Sequence, residues 1–338
     1  MDIKQLPTVS VIIPCYNVSK SIADCLNAVQ QSDYPNIEII VVDDKSTDNT
    51  VDIVRSFKNV QLYTLDSNGG CARAKNFGAK KAAGALYYFL DSDVVVFKNT
   101  IGGLIKTICD YSVELVAPRY SREPMNNKVI HHYKAMVDYV YYIPKKYRNT
   151  VYVEGLLGGG GEIILAKVFH ALNGFNEKYS GASVEREDLW ICLKEAGYQT
   201  AANAILKTRH YFPDFKDLVK AYVTRIYESA KLYDGKHYNL SFVSFETGIL
   251  GPVSGIFLFC SLFAYGFGLI STTAPLYCTI LFLIFNREVF IESSRKKGLI
   301  MTFQFFFIHF LMTNLITITG ALSIIIVKLR KIRLKGNA

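Results

Sequence analysis

The sequence of 338 residues is poor in several things that would each define a class of protein. Nine prolines and 23 glycines, with no periodic repeat, exclude a collagen-like or low-complexity chain. The seven cysteines, at 15, 25, 71, 109, 192, 260 and 278, form no CxxC pair and no cluster with histidine. An odd number scattered through apolar contexts excludes a disulfide framework and a zinc site, and fits small hydrophobes in a reducing compartment. The front end lacks the apolar core of a secretory signal, because the run Val9–Ile13 is too short and is preceded by both charge signs and a proline. No Gly-Lys-Ser/Thr loop occurs, which excludes a Walker-type phosphate site.

What is present is apolar bulk, unevenly placed. Half of the residues are hydrophobic and 13% aromatic, so the chain is not disordered. At about 150 residues per domain the length suggests two units. Gly248–Asn286 is 39 residues without a charge, and Leu299–Val327 is 29 residues whose one titratable group is His309. Each exceeds the roughly 18–20 residues that cross a bilayer. The net charge of +9 could suggest nucleic acid, but much of it flanks these stretches: Arg287, Arg295, Lys296 and Lys297, then Lys328, Arg330, Lys331, Arg333 and Lys335. That placement is the pattern of membrane-flanking segments, so the expected partners are membrane lipids and not nucleic acid. The spacing predicts a soluble domain over 1–210, an amphipathic interfacial helix region over 211–246, transmembrane helices over 247–330 and a basic tail over 331–338.

The soluble region alternates strand and helix. Val9–Cys15, Ile37–Val42, Val60–Leu65 and Leu86–Leu90 read as buried strands. Helices are expected from Lys20 to Gln31 with Ser19 as N-cap, from Ser46–Asp48 to Phe57, and from Gly70 to Ala83. Continuous apolar strands separated by such helices predict an α/β fold with a Rossmann-type, mostly parallel sheet covered on both faces. Ligands of such sheets bind beyond the carboxyl ends of the strands. Two acidic groups stand there: Asp43-Asp44, and Asp91-Ser92-Asp93. Turn chemistry alone could place an Asp at a strand end. Two carboxylates two residues apart after a buried strand can also share one hard cation that carries phosphate oxygens. This predicts a nucleotide-diphosphate ligand and a divalent cation, Mg²⁺ or Mn²⁺.

VSVIIPCYN, IEIIVVDDKSTDNT, NGGCARAKNFGAKKAAG and YYFLDSDVVV together resemble the family 2 glycosyltransferases of GT-A fold. The likeness is strong over about 8–120, the nucleotide-sugar half, and continues weakly through 158–179 and 185–200, in the acceptor half, about 121–210. It implies an inverting transferase that uses a nucleotide-activated sugar, a UDP- or GDP-sugar, and a divalent metal. Pro14, Tyr16 and Asn17 then lie where the first strand ends under the nucleobase, Tyr16 offering a stacking face. Asp44 is implied as acceptor for a uracil-type imide, with Asp43 beside it. At the family's Ala-Arg-Asn stretch, Lys75 stands in the usual arginine position with Arg73 two residues before it, and one of these is expected to meet the diphosphate. Asp91 and Asp93 form the DxD, Asp93 being the expected direct metal ligand. His210 would approach the metal or diphosphate, although a lone histidine is more often structural.

The acceptor side departs from the family. Aligned without gaps, the Glu-Asp pair falls on Glu185-Arg186, which puts an arginine at the usual base. An acceptor hydroxyl must still lose a proton as it attacks. Asp188 is the expected base, with Glu187 and Glu185 as competitors, unless the cluster merely caps the following helix. Beyond Pro213, apolar residues at three- and four-residue steps (Phe215, Leu218, Val219, Tyr222, Ile226, Tyr233) suggest a helix at the headgroups, or a plain surface helix. The apolar stretches fit two short spans with a turn near Ser271, then one long span broken at Asn314 or Gly320. The expected function is sugar transfer to a lipid-linked or glycan acceptor at the cytosolic face of a multi-pass membrane protein. The alternative is a catalytically silent nucleotide-sugar-binding scaffold.

Overall fold

A computed structural model describes residues 6–142, 145–153, 159–179, 184–232 and 250–336. The chain divides into two compact units, Met1–Met125 with Lys145–Tyr211, and Asn126–Pro144 with Phe212–Ala338.

In chain order the elements are β1 (Val9–Cys15), α1 (Ile22–Gln30), β2 (Ile37–Asp43), α2 (Thr50–Arg55), β3 (Val60–Thr64), α3 (Cys71–Lys81), β4 (Leu86–Leu90), β5 (Val94–Val96) and α4 (Thr100–Tyr111). Then come β6 (Leu115–Tyr120), α5 (Val129–Tyr141), β7 (Val151–Val153), β8 (Gly161–Leu165), α6 (Ala166–Ala171), α7 (Glu185–Glu195) and β9 (Thr200–His210). Four helices close the chain: α8 (Phe215–Leu232), α9 (Leu250–Gly266), α10 (Thr273–Phe285) and α11 (Arg287–Gly336).

The first unit is a nine-stranded sheet in the order β3-β2-β1-β4-β8-β6-β9-β5, with β7 added on β9. The half β3-β2-β1-β4 is parallel, as the alternation of strand and helix requires. Beyond it the sheet is mixed: β8 runs antiparallel to β4 and β6, β9 is parallel to β6, and β5 and β7 are antiparallel to β9. Every residue of β1 and β4 is buried, which explains why these strands read as unbroken apolar runs. The helix α3 lies close on β1, since a Cβ at Gly78 would sit 2.5 Å from Ile12 Cγ2. The parallel half aims the carboxyl ends of β1, β2 and β4 at one edge, and Asp43, Asp44, Asp91 and Asp93 lie there.

Local details differ from expectation at the helix starts. Ser19 does not cap α1; its backbone N–H donates to Asp48 Oδ2 at 3.1 Å, and Ser21 occupies the N-cap position. Asp48 Oδ1 accepts from Thr50 N at 3.0 Å and so supports the start of α2. The helix α7 opens at Glu185, so Asp188 sits in its first turn.

The second unit is helical. Residues 126–144, placed in the acceptor half by the sequence reading, group with the C-terminal helices. Leu218, Tyr222 and Ile226 of α8 pack with Ile130, Tyr133 and Val137 of α5 and with Val289, Phe305 and Met312 of α11. Leu218, Tyr222 and Ile226 of that stripe are therefore covered by protein, while Phe215 is exposed and Tyr233 lies outside the described residues. A Lys134–Asp138 ion pair is buried in α5, and Tyr133 and Asn286 hydrogen-bond His309 at 2.9 Å each. The turn near Ser271 lies between α9 and α10 as expected. At 13 residues, α10 is about 20 Å long, shorter than a bilayer core. Among the described residues one helix, Arg287–Arg330, is long and apolar enough to cross a membrane. The helix is interrupted at Gly298 (φ 80°), a backbone that glycine adopts without cost, just before Leu299–Val327, and that stretch itself is not broken at Asn314 or Gly320.

Candidate active site

The loops beyond β1 and β2 interlock. Tyr16, the first residue past β1, is 47% exposed and presents its ring to solvent, while Pro14 is buried within the strand. Asn17 takes a left-handed backbone (φ 53°), a conformation asparagine tolerates. Its Oδ1 accepts from Thr47 N at 2.8 Å and Asp48 N at 3.3 Å, so it braces the loop after β2. Asp43 is buried and accepts from Ser46 N at 3.2 Å. Asp44, 4% exposed, accepts from Gly69 N at 2.8 Å and Gly70 N at 2.7 Å. A carboxylate offers about four lone-pair sites, so these two bonds fix its direction without exhausting it.

Beyond β4 the chain turns through Asp91-Ser92-Asp93 into β5. The antiparallel pairing of β5 with β9 sets Val94 opposite His210. That register brings His210 Nε2 to 3.1 Å from Asp93 Oδ1, and the imidazole packs edge-on against Tyr120 with ring centres 5.2 Å apart. Asp93 is 39% exposed at its side chain and His210 14%, so the pair opens to the edge.

Asp91 belongs to a different constellation, a network of alternating charge. Arg186 Nη2 donates to Asp91 Oδ2 at 2.8 Å, and its Nε stands 2.8 Å from Glu162 Oε2. Lys75 Nζ lies 3.2 Å from Glu185 Oε1 and 3.7 Å from Asp91 Oδ1. Burial opposes ionisation of Asp91, yet Arg186 and Lys75 hold its carboxyl down at about 2. Glu185 is likewise disfavoured by burial, but Lys75 and Arg186 bring it below its ordinary range. At Glu162 burial prevails over Arg186 and raises the carboxyl.

The structure thus gathers Lys75, Asp91, Glu185 and Arg186 in one network, with Asp93 and His210 beside it. Arg73 is elsewhere engaged, its Nη1 on Ser67 Oγ at 3.0 Å. Asp188 accepts from the buried Tyr179 hydroxyl at 3.0 Å, and Glu187 is half-buried in the same turn of α7. Two members escaped the sequence reading. Glu162 was visible as the lone charge in the apolar strand GEIIL, and Tyr179 carried no signal at all.

A divalent cation fits this edge. Asp93 and His210 offer an oxygen and a nitrogen donor at hydrogen-bond separation, a set compatible with Mn²⁺. No group of three or more His, Cys, Asp or Glu donors occurs among the described residues, so phosphate oxygens and water would complete the shell, as hard cations at nucleotide sites permit.

A half-parallel α/β sheet with this acidic edge has the GT-A architecture. Residues 10–171, just under half of the chain, match the model for glycosyl transferase family 2. Among curated relatives, glycosyltransferase GlyG of Streptococcus pneumoniae serotype 4 is 35% identical over 116 residues, 33% of this chain and 38% of the relative. Glycosyltransferase AglE of Haloferax volcanii is 38% identical over 117 residues, again 33% and 38% of the two chains. The chain thus aligns with under half the length of these relatives. Mannosyltransferase PcManGT of Pyrobaculum calidifontis, solved with GDP-Man and Mn²⁺, matches with TM-score 0.54 at 16% identity, covering 95% of this chain and 88% of that one. The TarS fragment 1–349 of S. aureus, solved with UDP, matches with TM-score 0.50 at 18% identity, covering 86% and 92%. Both likenesses are of fold.

Proposed function

We propose that this chain moves a sugar, with inversion, from a nucleotide-diphosphate sugar to a lipid-linked or membrane-proximal acceptor at the cytosolic face of a membrane. The observation that carries the reading is Asp91 and Asp93 at the carboxyl end of β4, with His210 brought onto Asp93 by the β5–β9 register. Asp93 and His210 would hold the divalent cation, with Asp91 alongside. When bound, such an ion neutralises charge developing on the leaving diphosphate. Tyr16 offers its exposed ring to the base, and the Asp43-Asp44 loop, fixed by Gly69, Gly70 and Asn17, walls the nucleoside.

Of the three carboxylates considered for the acceptor side, Glu185 serves Lys75, and its lowered proton affinity makes it a poor base. Asp188 keeps the role in this reading. The Tyr179 hydroxyl orients its carboxylate, and that carboxylate would take the acceptor's proton as the hydroxyl attacks.

Membrane anchoring is supported by the apolar surface of the second unit. Phe257, Phe263, Phe267, Leu276, Ile300 and Phe303 are each more than half exposed, an arrangement water disfavours and lipid satisfies. Anchoring raises the effective concentration toward an acceptor confined to the bilayer. The scaffold reading finds its support in Arg186, a cation seated on the DxD. One assay separates the two. Detergent-purified protein with Mn²⁺, membrane lipids and a panel of UDP- and GDP-sugars should yield a glycosylated lipid by mass spectrometry; donor binding without product or donor hydrolysis would favour the scaffold.

A further inference from the structure

Arg186 raises a physical question that the donor site as described does not answer. Its guanidinium joins two carboxylates of unlike character. Asp91 is 27% exposed at its side chain and lies at the open edge. Glu162 is fully buried, and both its oxygens lack a hydrogen bond among the described residues, so it meets Arg186 Nε as a charge and not as an aligned acceptor. A buried carboxylate left in that state is expensive unless a cation is held against it. Glu162 therefore anchors the inner side of the guanidinium. The outer side rests on a group that has a second cation, Lys75, 3.7 Å away.

We propose that Arg186 is a phosphate ligand parked on Asp91: the diphosphate of the nucleotide donor displaces Asp91 from the Nη side, while Glu162 keeps its place at Nε. The exchange leaves no carboxylate bare, because Asp91 retains Lys75. It also suits guanidinium chemistry, whose planar fork matches phosphate as well as carboxylate. The other two basic candidates are less available. Lys75 is fully buried between Glu185 and Asp91, and Arg73 is tied to Ser67. Arg186 is 19% exposed at its side chain and holds Asp91, which precedes Asp93 by two residues in the chain. This assignment rests on the reading that the chain binds a nucleotide-diphosphate sugar.

The test is calorimetry of the full-length protein in detergent with UDP and with GDP, in Mn²⁺, beside saturation-transfer NMR with the matching nucleosides. Because Arg186→Gln leaves Glu162 buried without its cation, the double variant Glu162→Gln/Arg186→Gln is measured with it, and Arg186→Lys keeps the charge without the fork. Both Gln variants should bind the diphosphate about 10–100-fold more weakly, the worth of one charged hydrogen-bonding group, with nucleoside binding unchanged. Arg186→Lys should recover part of the loss. Unchanged diphosphate affinity in the folded double variant overturns the assignment, as does an equal loss for the nucleoside. A wild-type protein that binds neither diphosphate fails the donor reading itself, and the assignment of Arg186 falls with it.

Discussion

Lys75, on the helix that follows the third strand, reaches Glu185 at the start of α7, 110 residues later, with Nζ 3.2 Å from Oε1 and both groups buried. This one contact ties α3, which packs on the parallel half of the sheet, to the helix that carries Glu187 and Asp188. The same ammonium packs over the Phe175 ring at 5.1 Å, so its charge is enclosed on several sides. Removing one partner of such a pair strands the other charge. Lys75→Met should therefore destabilise the first unit by about 3–5 kcal/mol, and Lys75→Met/Glu185→Gln should recover much of it. Denaturant unfolding of the two variants decides this; equal destabilisation would mean that the pair contributes packing rather than charge.

Asp93→Ala removes a carboxylate that is 39% exposed and fills no core space. Its melting temperature should stay near that of wild type, while transfer falls about 100-fold or more, since a divalent cation stabilises the reacting charge by several kcal/mol. The mutant should also lose the metal dependence of nucleotide binding. Near-normal turnover across a Mn²⁺ titration would remove Asp93 from the site.

For Asp188→Asn the expectation is a split between binding and chemistry. The amide still accepts from Tyr179, so the first turn of α7 is kept. Donor affinity should hold, and transfer should fall by roughly 10²–10⁴-fold, the worth of a positioned proton acceptor. A fully active Asp188→Asn transfers the role to Glu187.

Asp44→Ala leaves the N–H groups of Gly69 and Gly70 without their charged acceptor in a nearly closed loop. A loss of about 1–3 kcal/mol in stability is expected, with weaker nucleotide binding as the loop loosens. Asp44→Asn, which retains an acceptor oxygen, should sit between the two. Identical unfolding of all three proteins would show that the loop is held by other contacts.

The acid limb of stability has a calculable sign. Asp91, at about 2, and Glu185 both have folded-state values below their unfolded ones. Their contribution is therefore full above about pH 4 and is lost as pH falls toward 2. Glu162 is raised and acts oppositely, regaining stability once protonated. Wild type should lose melting temperature between about pH 4 and 2 more steeply than Asp91→Asn, and parallel curves would contradict the network as drawn.

Much of the first unit was determined by the sequence itself. Seven-residue apolar runs such as Val9–Cys15 can only be buried strands, and the helices between them force parallel neighbours, which sends Asp43, Asp44, Asp91 and Asp93 to one edge. Pattern is local, and so it carried these elements. The pairing of His210 with Asp93 was decided by register between strands more than 100 residues apart, which no spacing encodes. The network around Arg186 is likewise tertiary: a lone Glu in β8, a lysine in α3 and an arginine at the head of α7 stand out separately in the sequence and become one charge system only when β8 is laid against β4. In the helical unit composition found the apolar segments, but composition does not say which face meets protein. The burial of Leu218, Tyr222 and Ile226 of α8 against α5 and α11 was settled by packing alone.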